Sequence, residues 1–452
     1  MRTTTLLIAG LALPTALAAQ LPATFNPRSI ALGGAYTSLA RGWEAALGNP
    51  AMLAARGRPG FSLGLPNVSF ETGSNAYSLG DIQKYANRTL SDEDKAYLLN
   101  QITLDDTALT LRMVPGAAPF GLSIGPVAIA AYTTGYMDMS MGADAVELIL
   151  YGNAHRAAPG DLFTARGSGG NGWAATTLAA SIAFPVANLP MGRLAIGATY
   201  KQVLGHALGR FAETSSSFQV NPTFAISAAG HAIYADMGTN CGTMTFSLSS
   251  STDPCSLNAG AGYGVDIGAV LQMSGRALTL SAVFVNALGS MTWEEDRLIY
   301  ERTANSLVEN ASGQLTEDTT RVTLRGAQIN GDAVARALRD TLLAHANFAQ
   351  VLRVGAALRR GGWLTLTAGG SLRLKEGLDP QPAQTISAGG ELRLLRILPL
   401  RAGISTDLSN TVVLSAGSGI QLLGLNLDAS IASISGSDKP GVIVGVGASI
   451  LW

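Results

Sequence analysis

Arg353, Arg359, Arg373, Lys375, Arg393 and Arg401 outnumber Glu391, Asp407 and Asp428 on one side of a two-residue alternation near the C-terminus. Guanidinium groups in such rows bind carboxylates through paired, charge-assisted hydrogen bonds. Two readings follow. The rows are solvated residues paired with those acids, or they hold the carboxylate of an amphipathic ligand, with Arg373 and Arg393 as the ligand contacts. Other chemistry is sparse. His155, His206, His231 and His345 are widely spread, and none has a second histidine or a cysteine at metal-ligand spacing. The glycine-rich stretch Arg166–Gly172 lacks the lysine and hydroxyl that end a phosphate loop. No G-x-S-x-G elbow occurs. The chain is therefore read as a non-enzyme with no catalytic residue, metal or cofactor.

Cys241 and Cys255 have thirteen residues between them. In an oxidising compartment such a pair reads as a disulfide pinning a polar loop, the alternative being two free thiols. An oxidising destination fits the N-terminus. Arg2 gives a short positive region, Leu6 to Leu13 an apolar core, and Ala16-Leu17-Ala18 a small-x-small cleavage site, so residues 1–18 read as a signal peptide.

The basic rows need strands to carry them. Hydrophobic residues make up 47% of the 452 residues and charged ones only 13%, about half the ~25% of an ordinary soluble chain. No mature segment offers the unbroken ~20 apolar residues of a transmembrane helix. Prolines interrupt the nearest candidates, Gly116–Tyr132 and Leu178–Ala198. Period-two alternation recurs instead. Leu364, Leu366, Ala368, Gly370, Leu372 and Leu374 face away from Thr365, Thr367, Gly369, Ser371, Arg373 and Lys375. Similar strands start near Leu352, Thr385, Leu400, Thr411 and Leu425, and their links carry turn residues such as Arg360-Gly361-Gly362 and Ser409-Asn410. Short-linked strands with one apolar row and one small or polar row predict an all-β fold, a transmembrane antiparallel barrel of about 14 strands in lipid. Closure is required there, because an open edge would leave backbone groups unpaired.

Upstream, strands are expected near Phe61–Phe70, Ala108–Val114, Val127–Met139, Trp173–Pro185, Arg193–Val203, Tyr263–Met273, Ala277–Asn286 and Thr319–Ala327. Three stretches read as short loop helices: Asp81–Gln101, with a capping-box-like Ser91-Asp92-Glu93-Asp94, Asp144–Tyr151 and Asp332–His345. The stripe Val334, Leu338 and Leu342 is expected to pack on the barrel rim. Pro115, Pro119 and Pro126, among glycines, mark either a hairpin turn or a break in the wall that opens a side exit.

Two regions carry a family resemblance. Asn26–Met52 includes Gly33-Gly34-Ala35 and Asn49-Pro50-Ala51, and it resembles the N-terminal hatch of FadL-like outer-membrane proteins. There a "GGA" stretch leads to an "NPA" turn before the first strand. Family members often carry acidic residues between the two motifs, where this chain has Arg41-Gly42-Trp43-Glu44. The final strand, with Val442, Val444, Val446, Ala448, Ile450 and Trp452 in one row, is similar to the signal that barrel-assembly machinery reads. The resemblance implies a bacterial outer-membrane location, a hatch or plug over residues 19–59 and a barrel over residues 60–452. It also implies passage of small hydrophobic or amphipathic, fatty-acid-like molecules. The alternative is a PorV-like barrel that transports nothing and partners or anchors envelope or secretion proteins. Membrane lipid is an expected partner. Nucleic acid is not, since the net charge is −1 with no basic tail.

Overall fold

The computed structural model describes residues 25–452 except 86, 104–107, 153–161, 220–223, 237–252, 254–255, 274–276, 311, 379–381, 396 and 437–438. The expected signal peptide, Cys241 and Cys255 lie outside the described residues.

Alternation becomes strand almost wherever it was read. The first ten strands are β1 (Phe61–Ser74), β2 (Leu109–Ile124), β3 (Val127–Met141), β4 (Gly169–Leu189), β5 (Gly192–Gln219), β6 (Ala225–Ala235), β7 (Gly260–Met273), β8 (Leu278–Trp293), β9 (Leu298–Glu309) and β10 (Leu315–Arg325). Seven more complete the chain: β11 (Gln350–Arg360), β12 (Leu364–Lys375), β13 (Gln384–Leu394), β14 (Leu398–Thr406), β15 (Val412–Leu422), β16 (Leu425–Ser435) and β17 (Gly441–Leu451).

Fourteen of them close into an antiparallel ring. β1 to β5 pair in succession, β5 passes to β7 and β7 to β8. β8 then pairs with β11, and β11 to β17 run in order back to β1. The remaining strands leave the ring. The distal part of β5 pairs with β6, β6 with β9 and β9 with β10, forming a sheet beyond the barrel wall. The strand expected at Thr319–Ala327 is thus β10 and no part of the wall. Its run of Thr, Glu, Asp and Arg is solvent-facing on both sides, so no apolar row faces lipid.

The two faces of the wall differ as the alternation requires. Leu358, Leu366, Ile386, Ile404, Leu414 and Ile431 are exposed on the outside, while Thr367, Ser371, Thr385, Ser387 and Ser405 are buried within. A soluble protein would place charge on that outer surface. A closed sheet with an apolar exterior is a membrane barrel, and this build places the chain in a bacterial outer membrane. No helix of the described residues is long and apolar enough to cross a membrane.

The ends of the barrel are unequal. At one end the turns are short, and Phe61 meets Trp452 through a backbone pair, N–H to O at 3.1 and 2.8 Å. That end faces the periplasm by the usual arrangement of such barrels. The other end carries the sheet and four helices, Leu79–Tyr85, Asp92–Thr103, Ala143–Tyr151 and Ala333–Ala344. Ser91 and Asp94 exchange the reciprocal capping bonds expected of them, at 3.0 and 3.2 Å. Along Ala333–Ala344, Ala335 and Leu338 are buried in a cluster with Trp293 and Tyr300, with Leu342 packed against it. Val334 is exposed instead, because the helix presents the Ala335–Leu338–Leu342 face to the rim.

Candidate functional site

The segment between Phe25 and Ala55 lies inside the ring, and local sequence fixes its path. Asn26 Oδ1 accepts from the amides of Arg28 and Ser29 at 2.9 and 3.2 Å, capping a short helix, Pro27–Ala31, with proline at its first turn. Gly33 and Gly34 then turn the chain at φ of +66° and +82°, values that L side chains rarely adopt. Further on, Asn49 Oδ1 accepts from Ala51 N at 3.0 Å and Pro50 opens a 3₁₀ turn over Pro50–Ala54.

The wall receives this segment on glycines. A Cβ at Gly197 of β5 would stand 2.6 Å from Ala51 N, and one at Gly389 of β13 would stand 2.7 Å from Leu32 O. One at Gly64 of β1 would stand 2.5 Å from Trp43 Cε2. Side chains at these inward positions would exclude the segment. Polar contacts add specificity: Asn49 Nδ2 donates to the carbonyls of Ala269 and Ala282 at 3.2 and 3.3 Å, and the hydroxyls of Ser38 and Ser281 meet at 2.7 Å. Gly33, Asn49, Pro50 and Ala51 therefore lie in the seat between segment and wall, while Gly34 turns within the segment, its N–H donating to Ser29 O at 2.9 Å.

Charge concentrates at the periplasmic side of this seat. Buried Glu391 accepts from Arg28 Nε at 2.9 Å, Arg393 Nε at 3.0 Å and Arg401 Nε at 2.8 Å. Arg401 also reaches Asp428 at 2.5 Å. Glu44 is held by Asn26 Nδ2 at 2.9 Å and by the Tyr36 hydroxyl. Burial opposes the charge on Arg28, but Glu391, with Tyr36 and Glu44, holds its pKa above the ordinary value. Arg41 goes the other way: burial, then repulsion from Arg28, Arg359 and Arg393, lowers its pKa. Higher in the lumen the charges are matched in pairs, Lys201 with Asp266 at 2.6 Å and Arg112 with Glu71 at 3.0 Å.

Arg373 and Arg393 are not brought together. Arg373 lies at the loop end of β12, beside Glu376 at 2.8 Å, while Arg393 lies at the turn end of β13. The level of Arg373 meets β13 near Ala383 and Gln384, about nine residues or roughly 30 Å of strand from Arg393. Each already meets a carboxylate.

The wall itself is interrupted beside Trp43. Pro115 and Pro119 lie inside β2, and only Pro126 falls at a turn. The register that pairs Gly64 with Gly121 and Asn67 with Ala118 sets Pro66 opposite Pro119. β1 slips against β17 between Gly64 and Asn67, and β2 slips against β3 between Ala117 and Phe120. Neither proline has an N–H to donate. Asn67 Nδ2 offsets part of the loss, donating to the carbonyls of Leu65 and Ala448 at 2.7 and 3.3 Å. Trp43, fully buried, packs on Gly64 and Gly121 just inside this break, and its Nε1 has no hydrogen-bond partner among the described residues. Pro66 was not singled out in the sequence, although a proline within alternating Leu63, Leu65 and Asn67 is a signal for a wall break.

The fold is similar to that of a CymD monoaromatic hydrocarbon channel, at 11% identity and a TM-score of 0.49, covering 95% of this chain and 98% of that one. It is also similar to a Pseudomonas aeruginosa FadL homologue, at 12% identity and a TM-score of 0.47, covering 96% and 99%. The P. putida toluene transporter TodX gives 11% identity and a TM-score of 0.44, with the same coverage. No curated protein matches the chain. A family model does match, over residues 50–353, and the chain belongs to that family, DUF5723, a family of unknown function.

Proposed function

We propose that this barrel carries small hydrophobic or amphipathic molecules across the outer membrane, with residues 19–59 as its plug and no covalent chemistry. The observation that carries the reading is the wall break at Pro66 and Pro119, with Trp43 of the plug seated on its inner side. An apolar solute leaving sideways there passes from lumen to lipid without crossing water, and a shift of Trp43 opens the way. A second reading rests on the sheet of β6, β9 and β10 outside the ring. It offers a docking surface for envelope or secretion proteins on a barrel that transports nothing.

The test is to lock the plug. Ser38 and Ser281, with hydroxyls 2.7 Å apart, are placed for a disulfide once both are cysteine, in a Cys241→Ser/Cys255→Ser background. Uptake of a radiolabelled aromatic hydrocarbon and of a fatty acid is followed in reconstituted vesicles. Uptake that stops on oxidation and returns on reduction supports transport past a moving plug. Equal uptake in both states overturns the plug's role, and none in either state favours the docking reading.

A further inference from the structure

The arginines around Glu391 are not all neutralised. Register places Arg359 of β11 opposite Thr365, Thr365 opposite Glu391 and Glu391 opposite Arg401, so these inward positions share one level of the wall. Arg28 reaches that level through Glu391, and Arg41 stands beside it in the lumenal segment, its backbone N–H donating at 3.4 Å to the Glu44 carboxylate that Asn26 also holds. Five guanidinium groups, Arg28, Arg41, Arg359, Arg393 and Arg401, then face three carboxylates, Glu44, Glu391 and Asp428. The carboxylates are committed. Glu391 takes Arg28, Arg393 and Arg401, Asp428 takes Arg401, and Glu44 is held by Asn26 and Tyr36. Among the described residues, the side chains of Arg41 and Arg359 donate to no acceptor, and both are only partly exposed. Arg41 nonetheless lies in the field of Arg28, Arg359 and Arg393. Partly buried cations crowded together without acceptors are costly unless a counter-anion joins them.

We infer that Arg41 and Arg359 form an oxyanion site at the periplasmic side of the plug, one that takes a carboxylate or phosphate group. Guanidinium forks suit both anions in bidentate geometry. The anion is either the head of an amphiphile that has passed the plug or a free periplasmic ion. If it is an amphiphile's head, the inference rests on the transport reading and moves the ligand contact from Arg373 and Arg393 to Arg41 and Arg359. A free ion requires no transport.

The experiment uses the full barrel in a non-ionic detergent, with calorimetric titration of dodecanoate, dodecanol and inorganic phosphate into the parent, an Arg41→Gln/Arg359→Gln variant and an Arg359→Lys variant. Retained heat-modifiable migration shows that each variant is folded. Dodecanoate weakened at least about tenfold in the double variant, with dodecanol unchanged and Arg359→Lys intermediate, supports a site for an amphiphile's head. Phosphate binding lost in the double variant, with dodecanoate binding no tighter than dodecanol, supports a site for a free ion. Equal affinities of parent and double variant for both anions, or no anion binding to the parent, overturn the site. Hydrocarbon uptake is measured separately, so a failure of transport with anion binding intact sinks only the transport reading.

Discussion

Trp43 fills the space that a side chain at Gly121 would need: a Cβ on that glycine would stand 2.8 Å from Trp43 Cγ. The contact joins the lumenal segment to β2 just beside the wall break, so the position of that segment and the shape of the wall meet at one pair of residues. Gly121→Val should cost about 1–3 kcal/mol through overpacking and loosen the segment. Trp43→Ala opens a cavity of its own but should remove most of the added cost of Gly121→Val. A double-mutant cycle on thermal unfolding in detergent measures this. Additive effects of the two changes would mean that the pair does not share one space.

Glu391 and Arg28 should be unequal when removed singly. Glu391→Gln leaves Arg28, Arg393 and Arg401 without their common counter-ion, and breaking a buried pair this way costs about 3–5 kcal/mol. Arg28→Met leaves Glu391 with Arg393 and Arg401, so the cost should be about 1–2 kcal/mol. Urea unfolding midpoints and spin-label mobility at residue 38 check the order. An Arg28→Met variant that is the weaker of the two would contradict the assignment of Glu391 as the shared acceptor.

The wall was legible because lipid imposes a simple rule on strands: every second residue apolar. Strands such as β12 and β16 obey it near their centres. β6 and β9 were missed. Ala225–Ala235 and Leu298–Glu309 pair outside the lipid, where no apolar row is demanded. The site was harder. Gly33, Gly34 and the Asn49-Pro50-Ala51 turn stood out as local motifs, but Arg28 and Glu391 are 363 positions apart. Nothing local in a sequence announces a pair that only barrel closure creates. Arg373 and Arg393 were grouped because they share a face, and period two gives the face of a strand without its height in the barrel.

Asp407 gives the turn between β14 and β15 a pH dependence. Burial works against its charge, but the amides of Ser409 and Thr411, donating to Oδ1 at 2.9 and 3.0 Å, outweigh burial and hold its pKa below the ordinary value. With the folded pKa below an unfolded value of ~3.9, the turn's stabilisation is complete above that pH. It fades as pH falls through the folded pKa. Amide exchange at Ser409 and Thr411, corrected for the intrinsic pH dependence, should therefore lose protection on acidification below about pH 4. Asp407→Asn should flatten that dependence. Protection that is unchanged down to pH 2 in the parent would remove Asp407 from this role.

Pro66 and Pro119 face each other across β1 and β2, and both lack the N–H that a continuous ladder uses. Pro66→Thr/Pro119→Thr supplies two donors, and threonine suits a pleated wall. If the break is a side exit, the double variant should unfold at a higher temperature and take up an aromatic hydrocarbon at least several-fold more slowly. Single variants should fall between, since either proline alone still leaves one donor missing. A variant that is more stable yet transports at the parent rate would show that hydrocarbon leaves by another route. One that is neither more stable nor slower would show that Asn67, which already donates to Leu65 and Ala448, keeps the break open by itself. Adding Asn67→Ala to the double variant then separates the prolines' part from that of the asparagine.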